Sequence, residues 1–134
     1  MTRLIAIALV AALFAGCSQG DLKELGRDTR EAVQDAGDAL QDLADQARGP
    51  LRQAVDDAMQ AAADAREASR EFERNPSKET RQALEDAKNG LDAAGKELEG
   101  LVDKAPAGVK DALQRALDAL TELRKRIQRE LDSG

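Results

Sequence analysis

Apolar residues recur every three or four positions along four stretches of the chain, which is the spacing of one face of an α-helix. Three prolines, Pro50, Pro76 and Pro106, stand beside other helix-breaking residues and separate these stretches. The residue before a proline is disfavoured in helical geometry, so each proline marks a boundary. The pattern therefore predicts helices near 21–48, 50–74, 77–104 and 107–132.

Each predicted helix carries one narrow apolar stripe rich in alanine. In the fourth helix the stripe is Val109, Leu113, Ala116, Leu120, Leu123 and Ile127. Polar residues interrupt two stripes, at Thr29 in the first and Ser69 in the second. Narrow alanine-containing stripes suit closely packed helices, and short connections favour antiparallel neighbours. The sequence predicts an all-α fold, either an antiparallel four-helix bundle or a coiled-coil-like helical hairpin.

A different pattern covers the first 17 residues. Arg3 precedes the apolar run 4–15, and the small residues Ala15 and Gly16 stand directly before Cys17, the only cysteine. A charged start, an apolar middle and small residues at a cut site are typical of a secretory signal segment. The run is shorter than the roughly 20 residues that span a bilayer as a helix. We therefore expect a cleaved signal helix rather than a membrane span.

The segment Phe14-Ala15-Gly16-Cys17 resembles the lipobox of bacterial lipoproteins, which consists of an apolar residue, two small residues and a cysteine. The resemblance implies cleavage before Cys17, a diacylglycerol on its sulfur and acylation of the new amino terminus, for example by palmitate. Several acyl chains make membrane anchoring effectively permanent. Residues 1–16 are then the signal peptide, 17–20 the lipidated cysteine with a short tether, and 21–134 the helical domain.

Ser18 follows the cysteine at the position that directs sorting in Gram-negative lipoproteins. In that class an aspartate at this position favours retention at the inner membrane, and most other residues permit transfer to the outer membrane. In a host with two membranes, Ser18 implies a lipid-anchored protein of the bacterial cell envelope, in the outer membrane and facing the periplasm.

Composition narrows the range of functions. Removing residues 1–16 leaves an acidic chain without His, Trp or Tyr, in which Phe72 is the only aromatic residue. An acidic surface disfavours nucleic acid, whose binding depends on neutralising phosphates. Zinc and redox sites lack their usual His and Cys ligands, and no catalytic motif occurs. We therefore expect neither an enzyme nor a metal site, no cofactor besides the covalent lipid, and no small-molecule substrate.

The carboxylates are predicted to lie on exposed faces, where nothing would raise the pKa of one of them enough for it to act as an acid. Eight recur at spacings of three and four along the first helix, and we call them the acidic ribbon: Asp21, Glu24, Asp28, Glu31, Asp35, Asp38, Asp42 and Asp45. The ribbon is interpreted as a solvated face, as a docking strip for a basic partner or divalent cations, or as a set of partners for a neighbouring helix.

The last helix reverses the sign of the charge near its end, in a C-terminal basic cluster formed by Arg124, Lys125, Arg126 and Arg129. Cations there complement the helix dipole. The alternatives are contact with an anionic partner or, in a bundle, with Glu24 and Asp28 of the first helix.

These features favour a non-catalytic structural or protein-interaction lipoprotein, with an envelope protein or a second copy as partner. The alanine and leucine stripes resemble those of murein lipoproteins, but the chain ends at Gly134 rather than in the lysine those proteins join to peptidoglycan. Covalent attachment to the cell wall is therefore not predicted. The alternative is a lipid-binding protein, since amphipathic helices separated by prolines resemble exchangeable apolipoproteins.

Overall fold

The computed structural model describes the backbone of residues 2–133 and the side chains of residues 22–133. Within this range the chain forms four α-helices and one short 3₁₀-helix. The α-helices are α1 (Thr2–Gln46), α2 (Pro50–Arg74), α3 (Lys78–Glu99) and α4 (Ala107–Ser133), and the 3₁₀-helix is Val102–Lys104. Residues 1–16, Cys17 and Ser18 lie outside the described side chains, and so does Asp21.

The helices form an antiparallel bundle. Each helix packs against the next one in the chain, and α4 packs against α1, which closes the ring. Because the connections are short, consecutive helices run in opposite directions. The prediction of an all-α fold is confirmed, and the closed ring is a four-helix bundle rather than a hairpin.

The turns follow the predicted breakers with small differences. Gly49 adopts a positive φ of 60° and Pro50 begins α2, as the Gly-Pro order indicates, because glycine accepts this backbone conformation without strain. At the next turn Ser77 caps the start of α3. The Ser77 hydroxyl accepts a hydrogen bond from the Thr80 amide at 3.1 Å, and the Ser77 amide donates to the Thr80 hydroxyl at 2.9 Å.

The third helix ends at Glu99, five residues earlier than predicted. Gly100 still donates to the Lys96 carbonyl at 3.0 Å, but the Leu101 amide turns to the Leu98 carbonyl three residues back. This tightening leads into the 3₁₀-helix. The first helix is longer than predicted, because α1 begins at Thr2 and continues without a break through the predicted start at residue 21.

The stripes predicted from the sequence form the interior of the bundle. Every residue in the stripes of the second and fourth helices is buried. Leu25 in the stripe predicted for the first helix and Leu101 in the stripe predicted for the third are half-buried. Of the 30 buried hydrophobic residues among residues 22–133, 14 are alanines. Nearly half of this interior is therefore alanine, which lets the helices approach closely.

Among the described residues, none of the helices combines the length and the apolar character required to cross a membrane.

Candidate functional site at the Cys17 end of the bundle

One end of the bundle lies closest to Cys17 along the chain. Helix α1 contains Cys17 and becomes part of the buried core at Leu22, one and a half turns later. The end of α2 and the end of α4 pack beside this part of α1, and the start of α3 lies at the same end of the bundle, because the helices are antiparallel. We call this region the Cys17 end.

A buried carboxylate, Glu130 of α4, lies in the interior of the Cys17 end. Its side chain is fully buried, with an exposed fraction of 0%. The Ser69 hydroxyl of α2 donates a hydrogen bond to Glu130 Oε1 at 2.7 Å. Glu130 Oε2 is buried and has no hydrogen-bond partner. An unpartnered buried polar atom is uncommon in folded proteins and costs stability. Glu130 is therefore the most unusual side chain in the described part of the chain.

Burial raises the pKa of the Glu130 carboxyl above its ordinary value, because a charged carboxylate is poorly solvated in the interior. The negative charge of Glu73 acts in the same direction. The hydrogen bond from Ser69, the nearby Thr29 hydroxyl and the positive charge of Arg30 lower the pKa, but they do not cancel the effect of burial. The expectation that all carboxylates lie on exposed faces is wrong at this position.

A cross-helix ion pair lies next to this carboxyl. Arg30 of α1 pairs with Glu73 of α2, and both side chains are at least two-thirds buried. Gly26 makes room for the pair, since a Cβ atom at this position would lie 2.6 Å from Glu73 Oε2. Any larger residue at position 26 would displace Glu73, so the glycine permits the close approach that joins α1 to α2.

The C-terminal basic cluster is divided between two roles. Arg126 Nη1 lies 3.8 Å from Asp28 Oδ1 of α1, and Arg124 pairs with Asp92 of α3. These two arginines join α4 to both of its neighbours. Lys125 and Arg129 are exposed and form no ion pair with any described side chain. Pairing with the first helix, one of the alternatives for this cluster, therefore occurs at Arg126 through Asp28, whereas Arg124 pairs with the third helix.

Two further hydrogen bonds join arginine side chains to backbone carbonyls near helix C-termini. Arg81 of α3 donates to the Leu131 carbonyl near the end of α4 at 2.7 Å, and Arg52 of α2 donates in the same way to the Ala44 carbonyl of α1. The last carbonyls of a helix lack intrahelical partners, so a side-chain donor stabilises them.

Reversing both paired arginines is expected to destabilise the bundle. The double variant Arg124→Glu, Arg126→Glu replaces two cross-helix attractions by two repulsions. Since partly exposed pairs contribute about 0.2–1 kcal/mol each, we expect a loss of about 1–2 kcal/mol and a lower melting temperature. Circular dichroism during heating measures the change.

The matched control is Lys125→Glu, Arg129→Glu, which makes the same change of charge in the C-terminal half of α4 but at exposed positions. Both double variants change the net charge equally, so the difference between them isolates the ion pairs of Arg124 and Arg126. Equal melting temperatures for the two variants would show that the pairs contribute nothing.

The acidic ribbon is mostly solvated. Glu24 is exposed, and so are Glu31, Asp35, Asp38, Asp42 and Asp45; Asp28 is half-buried beside Arg126. Within residues 22–133, no group of three or more acidic side chains is arranged to hold a metal ion. Docking of a basic partner along the ribbon stays a prediction.

The buried carboxylate was missed by sequence reasoning, although a signal for it exists. The fourth stripe ended at Ile127, and the next position in the same spacing is Glu130. Thr29 and Ser69, the two polar residues within the other stripes, both lie near its carboxyl. Polar residues that coincide in this way on three apolar stripes would have indicated a polar centre in the core.

No protein-family model matches this chain, and no curated protein or solved structure matches it either.

Proposed function

We propose that this chain is a membrane-anchored lipoprotein of the bacterial cell envelope with a non-catalytic structural or protein-interaction role. The observation that carries the proposal is the segment Phe14-Ala15-Gly16-Cys17 behind Arg3 and an apolar run. The lipid on Cys17 would hold the bundle at the membrane by its Cys17 end. Ser18 favours the outer membrane, with the bundle facing the periplasm.

The bundle supports a role as a folded body on a tether. Helix α1 continues from Cys17 into the core without a break in the backbone, so lipid and bundle would be joined by a helix rather than by a long flexible linker. The exposed ribbon on the same helix offers a surface to a protein partner or to a second copy. Glu130, the side chain with the most perturbed environment, is enclosed in the core, where a substrate would not reach it.

The alternative is an apolipoprotein-like role, in which the bundle opens and lays its helices on lipid. One observation favours it. A core with many alanines and one unpartnered carboxylate is less costly to open than a core of large aliphatic side chains. Against it, surface-seeking helices combine large apolar residues with a basic polar face, whereas α2 buries mostly alanine.

Expression in a bacterium with two membranes, in the presence of a palmitate analogue that can be labelled, tests the anchor. We expect the wild-type protein to carry the label, to begin at Cys17 by mass spectrometry of the intact mature protein, and to fractionate with outer membranes. Cys17→Ser is expected to abolish labelling and to release nearly all of the protein from the lipid-anchored fraction, because the thioether has no other attachment point.

The matched control is Ser18→Ala, which changes the neighbouring residue and should preserve both the label and the outer-membrane location. Ser18→Asp should keep the label and shift the protein to the inner membrane. A mature protein that begins at another residue, or that carries a bare Cys17 thiol, would contradict the anchor and with it the proposed location.

A further inference from the structure

The groove between α1 and α2 at the Cys17 end is lined by basic side chains. Two pockets that share Arg30 and Arg70 form this groove. Its cations come from both helices at spacings of three and four, which place them on facing surfaces. We call them the basic groove: Lys23, Arg27 and Arg30 of α1, and Arg66, Arg70 and Arg74 of α2.

Most of these cations are available to a ligand. Arg30 pairs with Glu73, and Arg74 Nη1 lies 3.6 Å from Oε1 of Glu71 on the same helix. Lys23, Arg27, Arg66 and Arg70 are exposed and form no ion pair with the described side chains of residues 22–133. The lining as a whole has six basic and four acidic side chains, so the groove is positive although the protein is acidic.

The groove between α2 and α3 has the opposite character. Its charged lining residues are all carboxylates among the described side chains: Asp57, Asp64, Glu67, Glu71 and Asp86. Positive charge is thus concentrated on one side of α2 rather than distributed evenly. A solvated surface without a function needs no such separation.

Charge is also separated along the bundle. The half near Cys17, residues 22–33, 62–89 and 121–133, has 13 basic and 13 acidic residues. The other half, residues 34–61 and 90–120, has 6 basic and 12 acidic residues. The excess negative charge therefore lies at the end away from Cys17. An anionic surface would attract the basic groove and repel the far half.

We propose that the basic groove binds the phosphate headgroups of an anionic phospholipid membrane and orients the bundle on it. The inference rests on the proposed function, because a lipid on Cys17 puts this end against the bilayer. Lys23 lies six residues after Cys17 on one helix, a distance of about 9 Å along its axis. Arginine and lysine near an anionic surface are attracted to it over about one Debye length.

A second copy of the chain is a weaker candidate for the same surface. The acidic groove between α2 and α3 has complementary charge, and both grooves extend from the Cys17 end into the far half. A membrane is favoured because Lys23, Arg27 and Arg30 lie on the same helix as Cys17. The lipid proposed on Cys17 would bring these cations to the bilayer surface.

Vesicle titration of the full chain carrying Cys17→Ser tests the proposal without the covalent lipid. The chain is titrated with phosphatidylcholine vesicles and with vesicles containing phosphatidylglycerol, and the ratio of the two partition coefficients is recorded. This ratio cancels the contribution of the apolar run 4–15, which is the same in every variant. The groove variant adds Arg27→Gln, Arg66→Gln and Arg70→Gln, and the control adds Lys104→Gln, Lys110→Gln and Arg115→Gln, three exposed cations of the far half.

We expect the protein with the unsubstituted groove to partition more strongly to anionic vesicles, and we expect this preference to fall as salt is added. Each cation near the surface contributes about fivefold, so the groove variant should lower the ratio about 100-fold. The control should change it less than threefold, and both variants should have the same melting temperature.

Equal losses in the two triple variants would overturn the proposal, since they would show a response to net charge alone. A ratio near one for the unsubstituted groove would overturn it as well. So would self-association in the absence of vesicles that the groove variant abolishes, because the groove would then bind a second copy. None of these results affects the test of the Cys17 anchor, which depends on labelling and mass spectrometry.

Discussion

Phe72→Ala is expected to remove about 3–5 kcal/mol from the free energy of unfolding, the usual cost of deleting a buried aromatic side chain. Phe72 is 2% exposed and belongs to the hydrophobic core. On α2 the large buried side chains near the start, Leu51 and Val55, are followed by alanines up to Phe72. Phe72 is thus the one large apolar anchor of α2 at the Cys17 end.

The loss is large relative to the total. Domains are stable by about 5–15 kcal/mol, and a core in which 14 of 30 buried hydrophobic residues are alanine has little apolar area in reserve. We therefore expect the variant to be partly unfolded at physiological temperature. Urea denaturation followed by circular dichroism measures the effect, since the chain has neither Trp nor Tyr for fluorescence.

Phe72→Leu is the matched control, because it keeps an apolar side chain of comparable volume and should cost less than about 1.5 kcal/mol. If Phe72→Ala and Phe72→Leu were equally stable, the volume of the aromatic ring would not be important and the interior at this end would be loosely packed. A smaller urea dependence of the free energy in Phe72→Ala would indicate a less cooperative bundle.

Much of this fold could be predicted from the sequence because the signals are local. Each stripe reports one helix face, and Gly49-Pro50 and Pro76-Ser77 stop and start helices through their own backbone preferences. The end of α3 was less predictable. The apolar spacing continues to Ala105, but the helical hydrogen bonding changes at Leu101, whose amide donates to a carbonyl three residues back. Periodicity alone therefore extended α3 too far.

The site was less predictable because it depends on which helices are neighbours. The spacing of Arg66, Arg70 and Arg74 is visible in the sequence, but it forms a groove only because α2 packs against α1. Glu130 illustrates the same limit. From the sequence, a glutamate near the charged C-terminal end of a helix is predicted to be exposed. Its burial follows only from the packing of α1 and α2 against this part of α4.

Glu130→Gln is expected to stabilise the bundle at neutral pH and to remove most of its pH dependence between pH 5 and pH 8. The amide has the shape of the protonated carboxyl and can still accept the hydrogen bond from Ser69. It also carries no charge in the core. The amide NH2 stays without a partner, as Glu130 Oε2 is, but burying a neutral polar group costs less than burying a charged one. We therefore expect a gain of about 1 kcal/mol at pH 8.

The direction with pH follows from the raised pKa of Glu130. Burial favours the protonated carboxyl in the folded state, whereas in the unfolded chain the group ionises near its ordinary pKa of 4.5. Below that value both states are protonated and the carboxyl imposes no penalty. As the pH rises towards and through the raised folded-state pKa, the stability of the wild-type protein falls. The charged groups nearest to it are Arg30 of α1, Glu73 of α2 and, at the adjacent Leu131 carbonyl, Arg81 of α3.

The composition of the chain simplifies the interpretation of this pH dependence. The chain has no histidine, the side chain whose unperturbed pKa lies between pH 5 and pH 8. Urea denaturation at several pH values in this window therefore reports mainly on Glu130. The free energies of wild type and Glu130→Gln should be closest at pH 5 and separate as the pH rises, until the pH exceeds the raised pKa of Glu130. Glu97→Gln, at an exposed position of α3, removes one charge without burial and should run parallel to wild type. Parallel curves for Glu130→Gln as well would show that its carboxyl has no raised pKa. A variant whose loss of stability relative to wild type grows with pH would show that the charged form is held favourably in the core.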